Sequence, residues 1–352
     1  MSGDFKPKGL LAIAIEKPGK SDKRIICVPT IADRLIQLAI LQYLRPRLAR
    51  IGVDNSISYG VVRGPEKSVL GARKFACRSR QDKEWVYKTD IRKFFDNIPR
   101  PMLSDFLQKK IQQKTLLPVI LPFVGAELTD GFDRSWESIA RDNGIMKGRG
   151  IRQGMPFSPF FAGAFLRDLD YKIIKKDILA ARYVDDFIAF FSSRAEAEDF
   201  HFWLHYELFQ LGLDIGEPNA ENSKTRIYEP GEPAEFLGLE LSRDSKGRYR
   251  LNISDDVQSR VLQKLDNFSK LDYLLENGKS LTSMGGFFQN IARGYVNAYA
   301  EAENVGVFRE RVNAKLADVQ RQIVAELFGE ARLAKLSKAQ RAFIGVDAIL
   351  AR

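Results

Sequence analysis

Short runs of β-branched and aromatic residues alternate, through roughly the first 250 positions, with longer stretches whose apolar residues recur at helical spacing. Residues 25–28 read as a strand that Pro29 closes. Thr30 and Asp33 have capping-box-like spacing and open a helix with Leu35, Leu38, Ala39, Leu41 and Leu44 on its apolar side. Residues 84–91 form a β-rich run with Trp85, Val86 and Tyr87 that delivers Asp90 at its end, and Phe94 and Phe95 follow. Residues 101–149 are mostly helical in pattern and lead into a Gly- and charge-rich approach over 144–150. Residues 157–176 read as a helix opened by Ser158 and Pro159, since proline suits a first helical turn. Residues 179–191 read as two strands around Asp185-Asp186, 195–211 as a helix and 236–241 as one short strand. From Ser254 onward the pattern is almost entirely helical. Interleaved helices and antiparallel strands give an α+β class, with a boundary expected near 250 between residues 1–250 and a helical C-terminal domain over 251–352. No internal repeat is visible.

Composition narrows the class. Hydrophobic residues make up 45% of 352 positions, enough to bury a substantial core rather than leave a disordered chain. Lys and Arg outnumber Asp and Glu by 55 to 45, a formal net charge of +10, and the basic residues are spread along the chain (Lys17, Lys20, Arg45, Arg47, Arg50, Lys172 among them). Such a charge attracts a polyanion without proving one is bound, and spread charge suits a groove assembled by folding. Cys27 and Cys77 are the only cysteines and lack CxxC spacing, so neither a disulfide framework nor a zinc cluster is indicated. The apolar stretch 10–15 is broken by Glu16 and Lys17 before it could serve as a signal sequence, and no segment approaches the ~20 apolar residues of a membrane span. A cytoplasmic, soluble protein with no membrane partner is expected.

The candidate chemistry lies in carboxylates. Asp90 ends one strand, and Asp185 with Asp186 sits at a tight turn between two apolar strands. Adjacent carboxylates at a buried hairpin repel unless a cation or a rim position relieves them, whereas the plain alternative is ordinary Asp-Asp turn chemistry at a solvated tip.

A series of further segments in a fixed order changes the weighting. Lys88-Thr-Asp90-Ile-Arg-Lys-Phe-Phe95-Asp-Asn-Ile is followed by Gly150-Ile-Arg-Gln153-Gly154-Met-Pro-Phe-Ser158-Pro159, Tyr183-Val-Asp185-Asp186, Asn222-Ser-Lys224-Thr225 and Phe236-Leu-Gly238. Upstream stand Lys23-Arg24, Pro29-Thr30, Asp33-Arg34 and Ser58-Tyr-Gly60 with Arg63, and downstream Gly294-Tyr-Val-Asn297-Ala-Tyr299. In order and in content these resemble the motifs of reverse transcriptases, especially bacterial enzymes of the group II intron and retron kind, over about residues 15 to 300. Met155-Pro156-Phe157 departs from the small residues frequent at that place in intron enzymes.

The resemblance implies a right-hand polymerase, with fingers, a palm whose antiparallel sheet bears YxDD, and a helical thumb. It implies an RNA-directed DNA polymerase in which Asp90 and Asp185, supported by Asp186, hold two Mg²⁺ ions, with Mn²⁺ able to substitute. Hard oxygen ligands suit Mg²⁺, which also takes substrate phosphates as ligands. Phe95 is implied to pack against the sugar and exclude a 2′-hydroxyl, although both Phe94 and Phe95 could equally be core. Gln153 and Gly154 are implied to lie along the nascent base pair, Tyr183 to line the same site, Arg24 and less directly Lys23 to meet the triphosphate, and Lys224 to stand near the leaving group. Any of these basic residues could otherwise be a plain surface charge. The implied partners are an RNA template, a DNA product and dNTPs, with a dedicated noncoding RNA and a role in bacterial anti-phage defence expected. A protein partner or homo-oligomer is left open.

Alternatives remain: a template-independent or protein-primed nucleotide polymerase, a retron-type enzyme, and a catalytically idle RNA-binding module, against which the intact Asp90, Asp185 and Asp186 argue. The chain begins close to the finger-like motif and ends about 50 residues after the thumb-like one, so an N-terminal template-gripping extension and an endonuclease tail are expected to be absent. Two features are discounted. Gly278-Lys279-Ser280 has the tail of a phosphate loop, but Tyr273 stands where its first Gly should be. His201 and His205 are one helical turn apart, with Phe202, Trp203 and Leu204 between them and no general base.

Overall fold

A computed structural model describes residues 5–16, 23–61, 64–129, 136–276, 278–329, 331, 335–337 and 340. The chain divides into two compact units, with the division between Glu232 and Pro233.

The first unit opens with an antiparallel hairpin, β1 (Leu11–Glu16) and β2 (Lys23–Val28), in register from Leu11 opposite Val28 to Glu16 opposite Lys23. Thr30 caps α1 (Ile31–Leu44): its hydroxyl accepts the Asp33 N–H at 3.2 Å and donates to Asp33 Oδ2 at 2.9 Å. The buried side of α1 is not the leucine stripe expected from periodicity. Leu35, Leu38 and Ala39 are exposed and Leu41 half-buried, and Asp33, Gln37, Ile40 and Leu44 turn inward instead. Two polar residues take the inner face because each satisfies a backbone donor: Asp33 Oδ2 accepts the Lys8 N–H at 3.0 Å and Gln37 Oε1 the Phe157 N–H at 3.1 Å.

After α2 (Leu48–Ile51), β3 (Ser58–Tyr59) and α3 (Val69–Asp82), the chain enters β4 (Trp85–Asp90). Helices follow as expected over most of the next segment: α4 (Phe94–Asn97), α5 (Arg100–Lys110), α6 (Leu117–Val124), α7 (Trp136–Asn143) and the long α8 (Ser158–Lys175). Ser158 does not cap α8; its hydroxyl donates back to the Arg152 carbonyl at 2.6 Å. Phe160, Phe161, Leu166, Leu169 and Ile173 of α8 are buried among the core, each worth about 1.5–3 kcal/mol relative to exposure.

β5 (Leu179–Tyr183), β6 (Asp186–Phe191), α9 (Arg194–Gln210) and β7 (Arg226–Tyr228) complete the unit. The five-stranded sheet has the order β3-β5-β6-β4-β7 and is antiparallel throughout except for the β3–β5 pair. β6 is the central strand, and Phe187 through Phe191 are buried on both faces, which explains a continuous apolar run instead of alternation. On one face Tyr87 meets Phe200 of α9 edge to face and Phe191 packs on it at a tilt, ring centroids 5.3 and 5.2 Å apart.

The second unit begins with a three-stranded antiparallel sheet, β8 (Ala234–Phe236), β9 (Leu239–Arg243) and β10 (Tyr249–Asn252). The single strand expected over 236–241 is thus a hairpin. Leu237 and Gly238 both have positive φ, 50° and 83°, and turn the chain between Phe236 and Leu239 in the manner of a type I′ turn. The helices α10 (Asp255–Asp266), α11 (Leu271–Glu276), α12 (Leu281–Ala298) and α13 (Val305–Phe328) follow. The small sheet groups with these helices, so the division falls earlier than residue 250. Glu303 donates its N–H to the Leu251 carbonyl at 2.8 Å, and Asn304 accepts from the Ile253 N–H at 2.9 Å. Ser280 is the N-cap of α12 and forms a reciprocal capping box with Ser283, so Gly278-Lys279-Ser280 is a helix start and not a phosphate loop. Among the described residues no helix is long and apolar enough to cross a membrane.

Candidate active site

Three strand ends meet at one end of the central sheet. Asp90 closes β4, Tyr183 closes β5 and Asp186 opens β6; in the ladder Asp186 lies opposite Asp90 on one side and opposite Tyr183 on the other. Asp185 occupies the turn between β5 and β6, where Val184 is held at φ 61°, a left-handed conformation unusual for a β-branched residue. The Asp185 carbonyl accepts the Ile91 N–H at 3.3 Å, which ties the turn to the residue following Asp90. Sequence separation of about 95 residues is thereby closed by sheet register alone.

The electrostatics are those of a site short of positive charge. Burial, then the neighbouring Asp90, pushes the Asp185 carboxyl up to about 6. Burial likewise raises Asp186, against the lowering influence of Lys88. Lys224 answers part of this deficit: its ammonium lies 2.6 Å from Asp90 Oδ2 while remaining largely exposed. Lys224 is placed by the next residue, since the Thr225 hydroxyl is buried and lies 2.6 Å from the Thr89 hydroxyl of β4. An all-oxygen donor set at such a place suits a hard divalent cation. Among the described residues no three His, Cys, Asp or Glu side chains are gathered as a preformed metal centre, and the Asp90 carboxylate faces Lys224.

Beside the carboxylates lies a second group of the residues singled out from sequence. Phe94 is core at 2% exposure, whereas Phe95 is half-buried, which separates the two rings that sequence left ambiguous. The Phe95 carbonyl accepts the Ile151 N–H at 2.7 Å, and the Gln153 carbonyl accepts the Cys27 N–H of β2 at 2.6 Å. Gly154 packs directly on β2. A Cβ there would lie 2.8 Å from the Cys27 carbonyl oxygen and 2.8 Å from Ile26 Cγ2. Strand alternation then distinguishes the two basic candidates: Arg24 shares the Ile26 face of β2 and Lys23 the opposite one with Ile25 and Cys27. Both are exposed. Gly60 lies under Tyr183, where a Cβ would come within 2.8 Å of the ring, so the segment around Ser58-Tyr59-Gly60 and the strand leading into the Asp185-Asp186 turn meet through a missing side chain. Arg63 lies outside the described residues.

Sequence reading missed two charge networks. Arg182 and Asp170 form a pair with no exposed surface on either side chain, directly behind the turn. Glu127 accepts from the Gly148 N–H at 2.9 Å and pairs with Arg100 and Arg152 at 2.7 and 2.6 Å, clamping the segment that precedes Gln153. The visible signal for the first was an arginine inside an otherwise apolar strand. His201 is buried: its Nδ1 lies 3.0 Å from the Tyr87 hydroxyl, and burial pulls its pKa down.

The curated relatives matched include the group II intron-encoded protein LtrA of Lactococcus lactis subsp. cremoris and its counterpart in strain MG1363, each 27% identical over 173 residues, which is 49% of this chain and 26% of theirs. The chain therefore spans about a quarter of the length of these relatives. Among solved structures, apo telomerase from Candida tropicalis aligns with TM-score 0.48 and 13% identity over 99% of this chain and 63% of its own. Telomerase from Candida albicans in complex with a fragment of telomeric RNA aligns with TM-score 0.46 and 13% identity over 99% and 65%. The pattern that defines "Reverse transcriptase (RNA-dependent DNA polymerase)" matches residues 15–241, nearly two thirds of the chain, and on that match the chain belongs to the reverse transcriptase family.

Proposed function

We propose that this chain is an RNA-directed DNA polymerase, with Asp90, Asp185 and Asp186 as its metal-binding carboxylates. The observation that carries the reading is their convergence at one end of the family's catalytic sheet, where burial and mutual repulsion leave Asp185 in need of a cation. Two Mg²⁺ ions, with Mn²⁺ able to substitute, would supply Lewis-acid stabilisation of the charge on the attacking 3′-oxygen, the transferring phosphate and the leaving pyrophosphate. Gln153 and Gly154 are the candidates to lie along the new base pair, where glycine permits close backbone approach. Arg24, on the same face of β2, is the stronger candidate for the triphosphate, with Lys23 secondary. Lys224 is near enough to exchange Asp90 for the leaving group.

The test is primer extension on defined RNA with each dNTP, followed by product sequencing. Complementary products support the reading; products unrelated to the template favour template-independent or protein-primed synthesis. The finer proposal is a dedicated noncoding RNA template and a role in bacterial anti-phage defence. Its supports are the net charge of +10, suited to a structured RNA, and the bacterial source of the curated relatives. Sequencing RNA that copurifies with the protein checks it: one dominant species is expected, and a diverse pool, or phage protection that survives loss of the aspartates, would overturn it.

Phe95 tests the sugar gate. Phe95→Val is expected to relax discrimination against ribonucleotides by about 10-fold or more, because loss of the ring opens room for a 2′-hydroxyl. An unchanged rNTP to dNTP preference would make the half-buried ring a packing residue only.

A further inference from the structure

Arg182 is the only charged residue of β5, and none of its surface is exposed. A guanidinium is retained in such a place only where its donors are used. Nε donates to Asp170 Oδ1 at 2.7 Å and Nη2 to Asp170 Oδ2 at 2.5 Å, a two-pronged pair with an equally buried carboxylate on α8. Asp170 is held from a second side by Asn55, whose Nδ2 donates to Oδ2 at 2.9 Å. The remaining arm does something a framework pair does not require. Nη1 donates to the Val184 carbonyl at 2.8 Å, inside the catalytic turn itself.

That carbonyl belongs to the planar peptide joining Val184 to Asp185, so holding it fixes the orientation in which Asp185 leaves the turn. The grip is also needed, because Val184 at φ 61° sits in a left-handed region that a β-branched residue keeps only where its surroundings enforce it. The Ile91 N–H holds the other side of the same segment through the Asp185 carbonyl.

We propose that Arg182, locked by Asp170 and Asn55, is a positioning residue for the catalytic turn: it clamps the Val184 carbonyl so that Asp185 and Asp186 face Asp90 as a divalent-cation site. The proposal rests on the polymerase reading above. It differs from a purely structural role in predicting that metal affinity and turnover depend on Arg182 when folding does not.

Arg182→Lys keeps a cation against Asp170, but one ammonium lacks the fork that serves Asp170 twice and Val184 once. Three readouts are compared with wild type: melting temperature, Mn²⁺ binding by electron paramagnetic resonance without nucleotide or nucleic acid, and steady-state dNTP incorporation. We expect Arg182→Lys to melt close to wild type, to bind Mn²⁺ about 10-fold more weakly, and to lose about 10- to 100-fold in kcat with little change in KM for dNTP. The doubly neutral Asp170→Leu/Arg182→Met variant, which leaves no unpaired buried charge, should show the same losses or larger ones. Wild-type Mn²⁺ affinity and kcat in either folded variant overturns the proposal. Failure of both variants to fold does so too, by making the pair a framework contact. Wild-type protein that binds Mn²⁺ through Asp185 but incorporates no dNTP on any template would sink the polymerase reading while the Mn²⁺ comparison still decides the role of Arg182. Absence of Asp185-dependent Mn²⁺ binding in wild type overturns both.

Discussion

Asp185→Asn is expected to abolish Mg²⁺-dependent dNTP incorporation, by about 10³-fold or more, and at the same time to stabilise the metal-free protein. The first effect follows from the loss of an anionic ligand where charge develops in the transition state; three decades of rate correspond to about 4 kcal/mol. The second follows from the carboxyl itself, raised from the ordinary 3.8 to about 6 by burial and by Asp90. Folded protein therefore holds a proton on Asp185 across that interval while unfolded protein does not. The associated stability is present below the ordinary value and is lost as pH rises from about 4 through about 6. Asparagine carries no such charge. The melting temperature of the variant should exceed that of wild type increasingly from pH 4 to 6, stay above it at higher pH, and lose the advantage when Mg²⁺ is added, because only wild type gains from the ion. Thermal melts across pH, with and without Mg²⁺, measure this alongside primer extension. A fully active variant would end the assignment of Asp185, and a variant no more stable than wild type above pH 6 would show that the site is not starved of positive charge.

Gly154→Ala should cost about 10- to 100-fold in kcat/KM for dNTP and lower the melting temperature, while leaving RNA affinity near wild type. Gly154 has φ 106°, which side-chain-bearing residues rarely adopt, and the added Cβ would press on the Cys27 carbonyl oxygen and Ile26 Cγ2, both at 2.8 Å. A strand carbonyl cannot swing aside as a side-chain tip can. The strain falls on the bond from the Cys27 N–H to the Gln153 carbonyl, and so on the spacing between Gln153-Gly154 and the β2 face that bears Arg24. Displacement of about 1 Å at a reacting centre costs on the order of 10²-fold. Steady-state kinetics with a fixed RNA template check it, and unchanged kcat/KM would mean that this close approach has no part in nucleotide placement.

The elements around the carboxylates were readable from sequence because short-range forces set them. The apolar runs flanking Asp185-Asp186 read as two strands, Thr30 and Asp33 announced a helix start through their capping-box-like spacing, and Asp90 fell at the end of a β-rich run. The motif order carried the family, and with it the candidate residues. Where periodicity misled, an interaction distant in sequence had outweighed it. Asp33 and Gln37 displaced leucines from the inner face of α1 because the Lys8 and Phe157 N–H groups needed acceptors, and hydropathy cannot register a donor that lies 25 or 120 residues away. The hairpin hidden in 236–241 depended on a positive φ at Leu237, a residue whose type gives no warning of it.

By itself, then, the sequence determined the strands and helices that bear the site, the family, and which residue types could meet metal and nucleotide, since these follow from local pattern and motif order. Only the tertiary structure decided which of them meet. Sheet register set Asp90 opposite Asp186, burial separated Phe95 from Phe94, and strand alternation put Arg24 and Lys23 on opposite faces of β2. It also revealed Arg182, Asp170 and Asn55 behind the turn. The physical reason is that burial, charge pairing and hydrogen-bond satisfaction belong to the space between chain segments, and that space does not exist until the chain has folded.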